Sequence, residues 1–188
     1  TASKSLGQNF LIDEEVVSGI IEKSEVSKQD LVIEIGPGLG TLTAVLLEKA
    51  GKVVCIELDK RMVNIVKDRF SLYEKFEVIN EDVLKVDLKK IIDENLKKYN
   101  LKKAKIVANL PYYITTPIIM KLLEDKLNLE SITVMVQKEV AERLAEKPGE
   151  KEKVVYIGQG RFGLLYFENP RDQRKFTIKK VIEWEDRD

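Results

Sequence analysis

The sequence predicts an α/β protein built on a mostly parallel, doubly wound sheet with helices on both faces. Three observations carry this expectation. Short apolar runs rich in β-branched residues alternate with stretches of helical periodicity, the first run ends in a glycine-rich turn, and acidic or amide residues stand at the ends of three later runs. The expected strands are Leu31–Ile35, Val53–Glu57, Phe76–Asn80, Lys105–Ala108 and Ile132–Val136, with helices at about 41–50, 60–70, 88–98, 116–127 and 138–147.

Local chemistry supports each element in turn. An opening helix starts after Asp13, whose carboxylate suits an N-cap; Glu14 and Glu15 favour its first turn, and Val16, Val17, Ile20 and Ile21 form one apolar stripe. Thr41 is placed to cap the helix that follows the glycines, and Gly51 stands where a helix C-terminal glycine is expected. Pro148-Gly149 ends the alternation, and Glu150-Lys151-Glu152-Lys153 reads as a charged connection. The remaining residues carry Gly158, Gly160 and Gly163, interleaved aromatic residues and a final strand-like run, Phe176–Glu183. About 35 residues are too few for an independent core. The expected organisation is therefore one ligand-binding domain over 1–152, with 153–188 supplying closing strands of the same domain.

Composition narrows the chemistry. With 188 residues, 44% hydrophobic and 34% charged, the chain can bury a real core. It has no histidine, which removes His-based triads, His-containing zinc sites and imidazole bases, and no metal site is expected. The single cysteine, Cys55, lies in an apolar strand and reads as a buried thiol. No apolar run reaches membrane-spanning length and the first residues lack a hydrophobic signal region, so no membrane partner and a cytoplasmic location are expected, with a monomer as the default. The 32 basic and 32 acidic residues cancel, so any contact with a polyanion must come from local charge.

The stretch Ile35-Gly36-Pro37-Gly38-Leu39-Gly40-Thr41 places three glycines, spaced by two, between a buried strand and a helix. Such a turn lets a ligand lie against main-chain N–H groups at a helix N-terminus, although a purely structural strand-to-helix turn has the same composition. The spacing is neither G-x-G-x-x-G nor a phosphate-binding G-K-[ST] loop. Glu57, about 20 residues on, ends the next strand where α/β nucleotide sites put the acid that binds ribose hydroxyls. Asp82, after the third strand, is placed to accept a hydrogen bond from an exocyclic amine. An anion-accepting loop, a ribose acid and an amine acceptor, without a basic fork for a pyrophosphate, suit S-adenosylmethionine better than NAD.

After the fourth strand comes Asn109-Leu110-Pro111-Tyr112-Tyr113. An amine conjugated to an aromatic ring is a poor nucleophile, so a site that methylates it must hold both N–H groups with acceptors. The Asn109 side-chain oxygen and the Leu110 carbonyl are suited to that, Pro111 stiffens the turn, and Tyr112 offers a face for the base. Catalysis would then rest mostly on positioning, for which roughly 7–11 kcal/mol is the upper scale.

These motifs resemble the rRNA adenine N6-dimethyltransferases, the KsgA group and its Erm relatives, over about residues 4–149. Ser5–Leu11 resembles the family's N-terminal cofactor motif, Glu34–Gly40 its glycine motif, Glu57-Leu58-Asp59 its ribose motif, Glu81-Asp82 its adenine motif, Asn109–Tyr113 its catalytic motif, and Val136–Ala141 the segment after its fifth strand. The resemblance implies a Rossmann-like class I S-adenosylmethionine-dependent methyltransferase. It implies cofactor contacts from Gln8, Asn9, Leu11, Glu34, Gly36, Gly38, Gly40, Glu57, Leu58, Asp82, Val83 and Asn109, and a catalytic loop of Asn109, Leu110, Pro111 and Tyr112. The implied substrate is a pair of adjacent adenosines near the 3′ end of small-subunit rRNA, each methylated twice during ribosome assembly.

Leu110 favours the KsgA branch, since Erm enzymes more often have isoleucine there. After Pro148-Gly149 the likeness ends, and neither the family's proline-rich loop nor its helical C-terminal domain is recognisable. Two alternatives accompany the leading reading: an Erm-type enzyme acting on 23S rRNA, and a non-catalytic RNA-binding assembly factor. Local charge for RNA is present, with eight lysines against three acidic residues between Lys85 and Lys105, and six basic against two acidic residues with interleaved aromatics between Arg161 and Lys180. The first reads more readily as a solvated lysine-rich helix face, and the second reads equally as core aromatics.

Overall fold

The computed structural model describes residues 14–110, 114–137, 139, 155–157, 162–168 and 177–181. The elements run α1 (Glu14–Ser24), β1 (Asp30–Ile35), α2 (Thr41–Lys49), β2 (Lys52–Ile56), α3 (Lys60–Phe70), β3 (Phe76–Ile79), α4 (Leu88–Lys98), β4 (Lys103–Asn109), α5 (Thr115–Glu124), β5 (Ser131–Gln137), β6 (Val155–Ile157), β7 (Phe162–Glu168) and β8 (Thr177–Val181). The strands form one eight-stranded sheet ordered β3-β2-β1-β4-β5-β7-β6, with β8 also on β7. The first five strands are parallel, as the alternation of apolar runs and helices predicts, and β7 pairs antiparallel with β5. The outer flank of β7 is shared: β6 pairs with Phe162–Leu164 and β8 with Leu165–Glu168.

Chain direction across the sheet reverses between β1 and β4. The β1–α2–β2 and β2–α3–β3 crossovers move one way, and β3–α4–β4 and β4–α5–β5 move the other. Right-handed crossovers then put α2 and α3 on one face and α4 and α5 on the other. In sheets with such a reversal, ligands bind beyond the C-terminal ends of the two strands that flank it, here β1 and β4.

The two faces differ in chemistry. Leu31, Ile33, Ile35, Val54, Ile56, Ala104, Ile106, Ala108, Ile132 and Val134 are buried and apolar under α4 and α5. On the opposite face the register aligns Asp30, Glu34, Cys55, Lys105, Ser131 and Thr133, all buried, among the apolar residues. At the N-terminal edge the Lys105 ammonium sits 2.9 Å from the Asp30 carboxylate and donates to the Glu25 carbonyl at 2.8 Å. Asp30 also accepts from the Ser27 N–H at 2.7 Å. One buried pair thus fastens β1 to β4 and the end of α1 to both.

Several local expectations are corrected. Gly40, not Thr41, is the N-cap of α2; it has φ +88° and no side-chain cap, and Thr41 is the first helical residue. Gly51 does not adopt a left-handed cap conformation. It is glycine because a Cβ there would lie 2.5 Å from the Lys28 carbonyl and 2.5 Å from Leu101. The fifth helix stops at Glu124, not 127, because Lys126 takes φ +49° and the turn itself carries Leu127 into the core. Asp13 and all but Glu139 of the expected 138–147 helix lie outside the described residues, as do Phe176 and the end of its strand-like run.

Lys105→Met leaves Asp30 buried without its counter-charge. The expected loss is about 3–5 kcal/mol in the free energy of unfolding by urea, partly recovered when Asp30 is also made asparagine.

Candidate active site

Strand register alone assembles the site. Ile35 at the end of β1 pairs with Ile56 of β2 and Ala108 of β4, and Ile56 pairs with Ile79 of β3. The next residue on each strand is therefore Asn80, Glu57, Gly36 and Asn109, side by side at neighbouring tips spaced by about 5 Å. The sequence spacing had put these residues at strand ends; the register puts them on one edge.

The glycine loop begins in contact with the catalytic-loop candidate. Gly36 has φ +73°, and a Cβ there would stand 2.9 Å from the Asn109 carbonyl oxygen, so both the conformation and the space demand glycine. Gly38, at φ +56°, faces open space, with nothing within 4 Å of where a Cβ would be. At Gly40 an added Cβ would strike the Phe70 ring of α3 at 2.7 Å. The turn is closed by Gly40 N–H donating to the Pro37 carbonyl at 2.9 Å, and Arg69 donates to the Leu39 carbonyl at 2.9 Å from outside.

Beneath the loop lies Glu34, wholly buried. Its Oε1 accepts from the Thr43 hydroxyl of α2 and from the Cys55 thiol of β2 at 3.4 Å. These bonds join β1, β2 and α2 under the glycines. Burial pushes the Glu34 carboxyl up to about 7, against the lowering effect of the two donors and with a smaller contribution from nearby Glu57. Cys55 is a free, buried thiol, and burial first and Glu34 second raise it far above its ordinary range.

Glu57 is held by its own turn. Its carboxylate accepts from the Asp59 N–H at 3.0 Å, and Asp59 in turn caps α3 through the Arg61 N–H at 2.9 Å. Burial raises the Glu57 carboxyl, and backbone donors from Asp59, Leu58 and Gly38 oppose the rise. Asp82 uses one oxygen to accept the Leu84 N–H at 2.9 Å and lies partly exposed, with Val83 buried behind it. Leu58 is 64% exposed, an apolar side chain of this edge left facing outward. Leu39 and Leu84 are likewise exposed; sequence reasoning passed over both because an isolated leucine in a loop carries no periodic signal.

Asn109 ends β4 half-buried, and its Oδ1 is a buried acceptor without a hydrogen-bond partner among the described residues. Leu110 is fully buried and its N–H donates to the Met135 carbonyl at 3.3 Å. Pro111, Tyr112, Gln8, Asn9 and Leu11 lie outside the described residues. Among the described residues no group of three or more Cys, Asp or Glu is arranged to hold a metal ion, and no helix is long and apolar enough to cross a membrane.

Comparison with known proteins bears directly on this edge. Residues 1–155 match the sequence pattern of the family described as "Ribosomal RNA adenine dimethylase". The chain belongs to that family. Among the dimethylase relatives, the ribosomal RNA small subunit methyltransferase A of Alkaliphilus oremlandii is 47% identical over 169 residues, which are 90% of this chain and 56% of that protein. The chain thus spans about half the length of the curated relatives it matches. A dimethyladenosine transferase structure from Plasmodium falciparum is 26% identical with a TM-score of 0.69, covering 88% of this chain and 65% of that one. The structure of the 23S rRNA methyltransferase ErmE superposes with a TM-score of 0.70 at 22% identity over 88% of this chain and 72% of that one, a likeness of fold. The dimethylase fold here is the Rossmann-like one of class I S-adenosylmethionine-dependent methyltransferases.

The buried Glu34 carboxyl makes stability depend on pH. The folded chain holds the proton up to about 7 while the unfolded chain loses it near the ordinary 4.5, so the native state binds more protons in that window and stability falls as pH rises through it. Glu34→Gln is expected to flatten this decline, read as urea midpoints between pH 4.5 and 8.

Proposed function

We propose that this protein transfers methyl groups from S-adenosylmethionine to N6 of adjacent adenosines in small-subunit (16S) rRNA during ribosome biogenesis. The observation that supports the reading is the Asn109 Oδ1: a buried acceptor with no partner among the described residues at the tip of β4, its backbone in contact with the first glycine of the loop. A buried acceptor left unbonded is costly, and an exocyclic N–H of a flipped adenine would satisfy it.

The edge suits the cofactor as well. Gly38 leaves a cradle that a side chain would fill, the N-terminus of α2 opens toward it, and Glu57 and Asp82 stand on successive strand ends for a ribose and an exocyclic amine. Bound S-adenosylmethionine would supply an electrophilic methyl on a positively charged sulfur. The protein's own part is positioning. Gly36, Gly38 and Gly40 present main chain to the methionine half, Glu57 and Leu58 hold the ribose and flank the ring, and Asp82 with Val83 receives the adenine of the cofactor. Glu34 braces the loop from below. Asn109 and the Leu110 carbonyl hold the target amine, with Pro111 and Tyr112 completing the loop and Gln8, Asn9 and Leu11 closing over the cofactor. Residues 1–152 form the cofactor-binding and catalytic domain in this reading, and 153–188 its closing strands. The enzyme acts as a monomer in the cytoplasm, where ribosomal subunits assemble.

The test is transfer of labelled methyl groups to 16S and to 23S rRNA. Uptake by 16S rRNA with dimethyladenosine as product is expected, and Asn109→Ala is expected to lower it by on the order of 100-fold, more than it lowers S-adenosylmethionine affinity in calorimetry. Uptake by 23S rRNA alone would make this an Erm-type enzyme. Background uptake by the unaltered chain would make it a binding factor.

A further inference from the structure

Asn80 is a polar side chain at a strand tip to which neither the motifs nor the proposed chemistry gives a task. It ends the third strand run and is exposed. Its amide nitrogen nonetheless donates twice, to the Glu57 carbonyl at 2.9 Å and to the Leu58 carbonyl at 3.1 Å. Two carbonyl acceptors fix the amide's orientation, since the side-chain oxygen could bond neither.

These two carbonyls belong to consecutive peptides of the turn that carries the ribose acid. In a trans peptide the C=O and N–H point in opposite directions. With both carbonyls drawn toward Asn80, the Leu58 and Asp59 N–H groups point the other way, toward the Glu57 carboxylate. That carboxylate accepts the Asp59 N–H at 3.0 Å, and the Asp59 and Leu58 backbone donors oppose the rise that its burial causes. One amide on one side and one carboxylate on the other therefore clamp the same two peptides. The ladder bond from the Glu57 N–H to the Ile79 carbonyl, at 3.0 Å, ties the start of the turn to the residue before Asn80.

We infer that Asn80 is a positioning residue for the nucleoside half of the cofactor, acting through the Glu57–Leu58 turn. This rests on the S-adenosylmethionine reading given above. The clamp sets where the Glu57 carboxylate and the exposed Leu58 side chain stand before any ligand arrives, so the ordering cost is met in folding rather than in binding. Asn80 contacts no reacting atom, so its effect falls on cofactor affinity and leaves the transfer step at saturating cofactor alone.

Asn80→Asp keeps the size of the side chain and replaces the double donor with an acceptor facing two carbonyls. Calorimetry with S-adenosylmethionine is expected to show affinity weakened about tenfold or more for Asn80→Asp and by a smaller factor for Asn80→Ala. In methyl transfer to 16S rRNA, KM for the cofactor rises while kcat stays within about twofold. A second readout is the pH profile of cofactor binding. Glu57 faces Glu34 of β1, Cys55 of β2, Asp59 in its own turn and the Gly38 N–H of the glycine loop. With its turn donors loosened, the acid limb of binding moves to higher pH in both variants, which a general loss of stability would not produce. Should Asn80→Asp fail to fold, Asn80→Ala carries the same two readouts. Wild-type affinity and an unmoved acid limb in the variants, or a fall in kcat instead of affinity, would overturn the inference while the cofactor reading stands. Failure of the unaltered protein to bind S-adenosylmethionine would remove both.

Discussion

The approach of the glycine loop to the end of β4 is the constraint on which the site depends. Gly36 and the Asn109 carbonyl are so close that a single methyl group at position 36 would press into the backbone at 2.9 Å. This contact is possible because β1 lies between β2 and β4 in parallel register, so the residues after Ile35 and Ala108 leave the sheet together. Loop and strand end are thus held at one separation by main chain. For the proposed methyl transfer, whose acceleration would come from placement, a rigid separation is the useful property.

Around that contact the protein spends polar groups where most sheets of this kind bury hydrocarbon. The face under α4 and α5 is apolar across the central strands apart from Lys52, whose ammonium donates to the Tyr99 hydroxyl at 3.0 Å, while the face under α1 and α2 contains a carboxylic acid, a thiol, two hydroxyls and an ion pair. Directional bonds specify relative position more narrowly than apolar contact does. Thr43 and Cys55 on Glu34, and Glu25 and Asp30 on Lys105, fix the helices of that face from both ends of β1. The cost is electrostatic: a carboxyl this deep keeps its proton to about neutral pH.

Much of this was legible in the residue order. The alternation of Val- and Ile-rich runs with helical periods gives the five parallel strands to within two residues at each end, because a strand covered on both faces is apolar along most of its length. Glu57, Asp82 and Asn109 were visible because polar residues directly after such runs have few reasons to be there. What stayed hidden is whatever depends on contacts across the sheet. Nothing local distinguishes Thr43 from another helix threonine, or Asn80 from a turn asparagine, until the register brings Glu34 and Glu57 beside them. Gly51 looked like a helix terminator and proved to be a place where Lys28, Asp30 and Leu101 leave no room, a fact of three distant segments. Thr41 had the composition of a cap, but the left-handed Gly40 took the position since only glycine turns there without strain.

The outer end of α3 shows how far the influence of the loop reaches. Phe70 fills the space under Gly40, and Arg69 reaches across to the Leu39 carbonyl from a surface position. A helix outside the proposed cofactor contacts is thereby less free to drift in sequence than its exposure suggests. Replacements at Arg69 would be felt as an altered glycine loop, and a survey of tolerated substitutions would draw the boundary of the proposed binding site well outside the residues assigned to it.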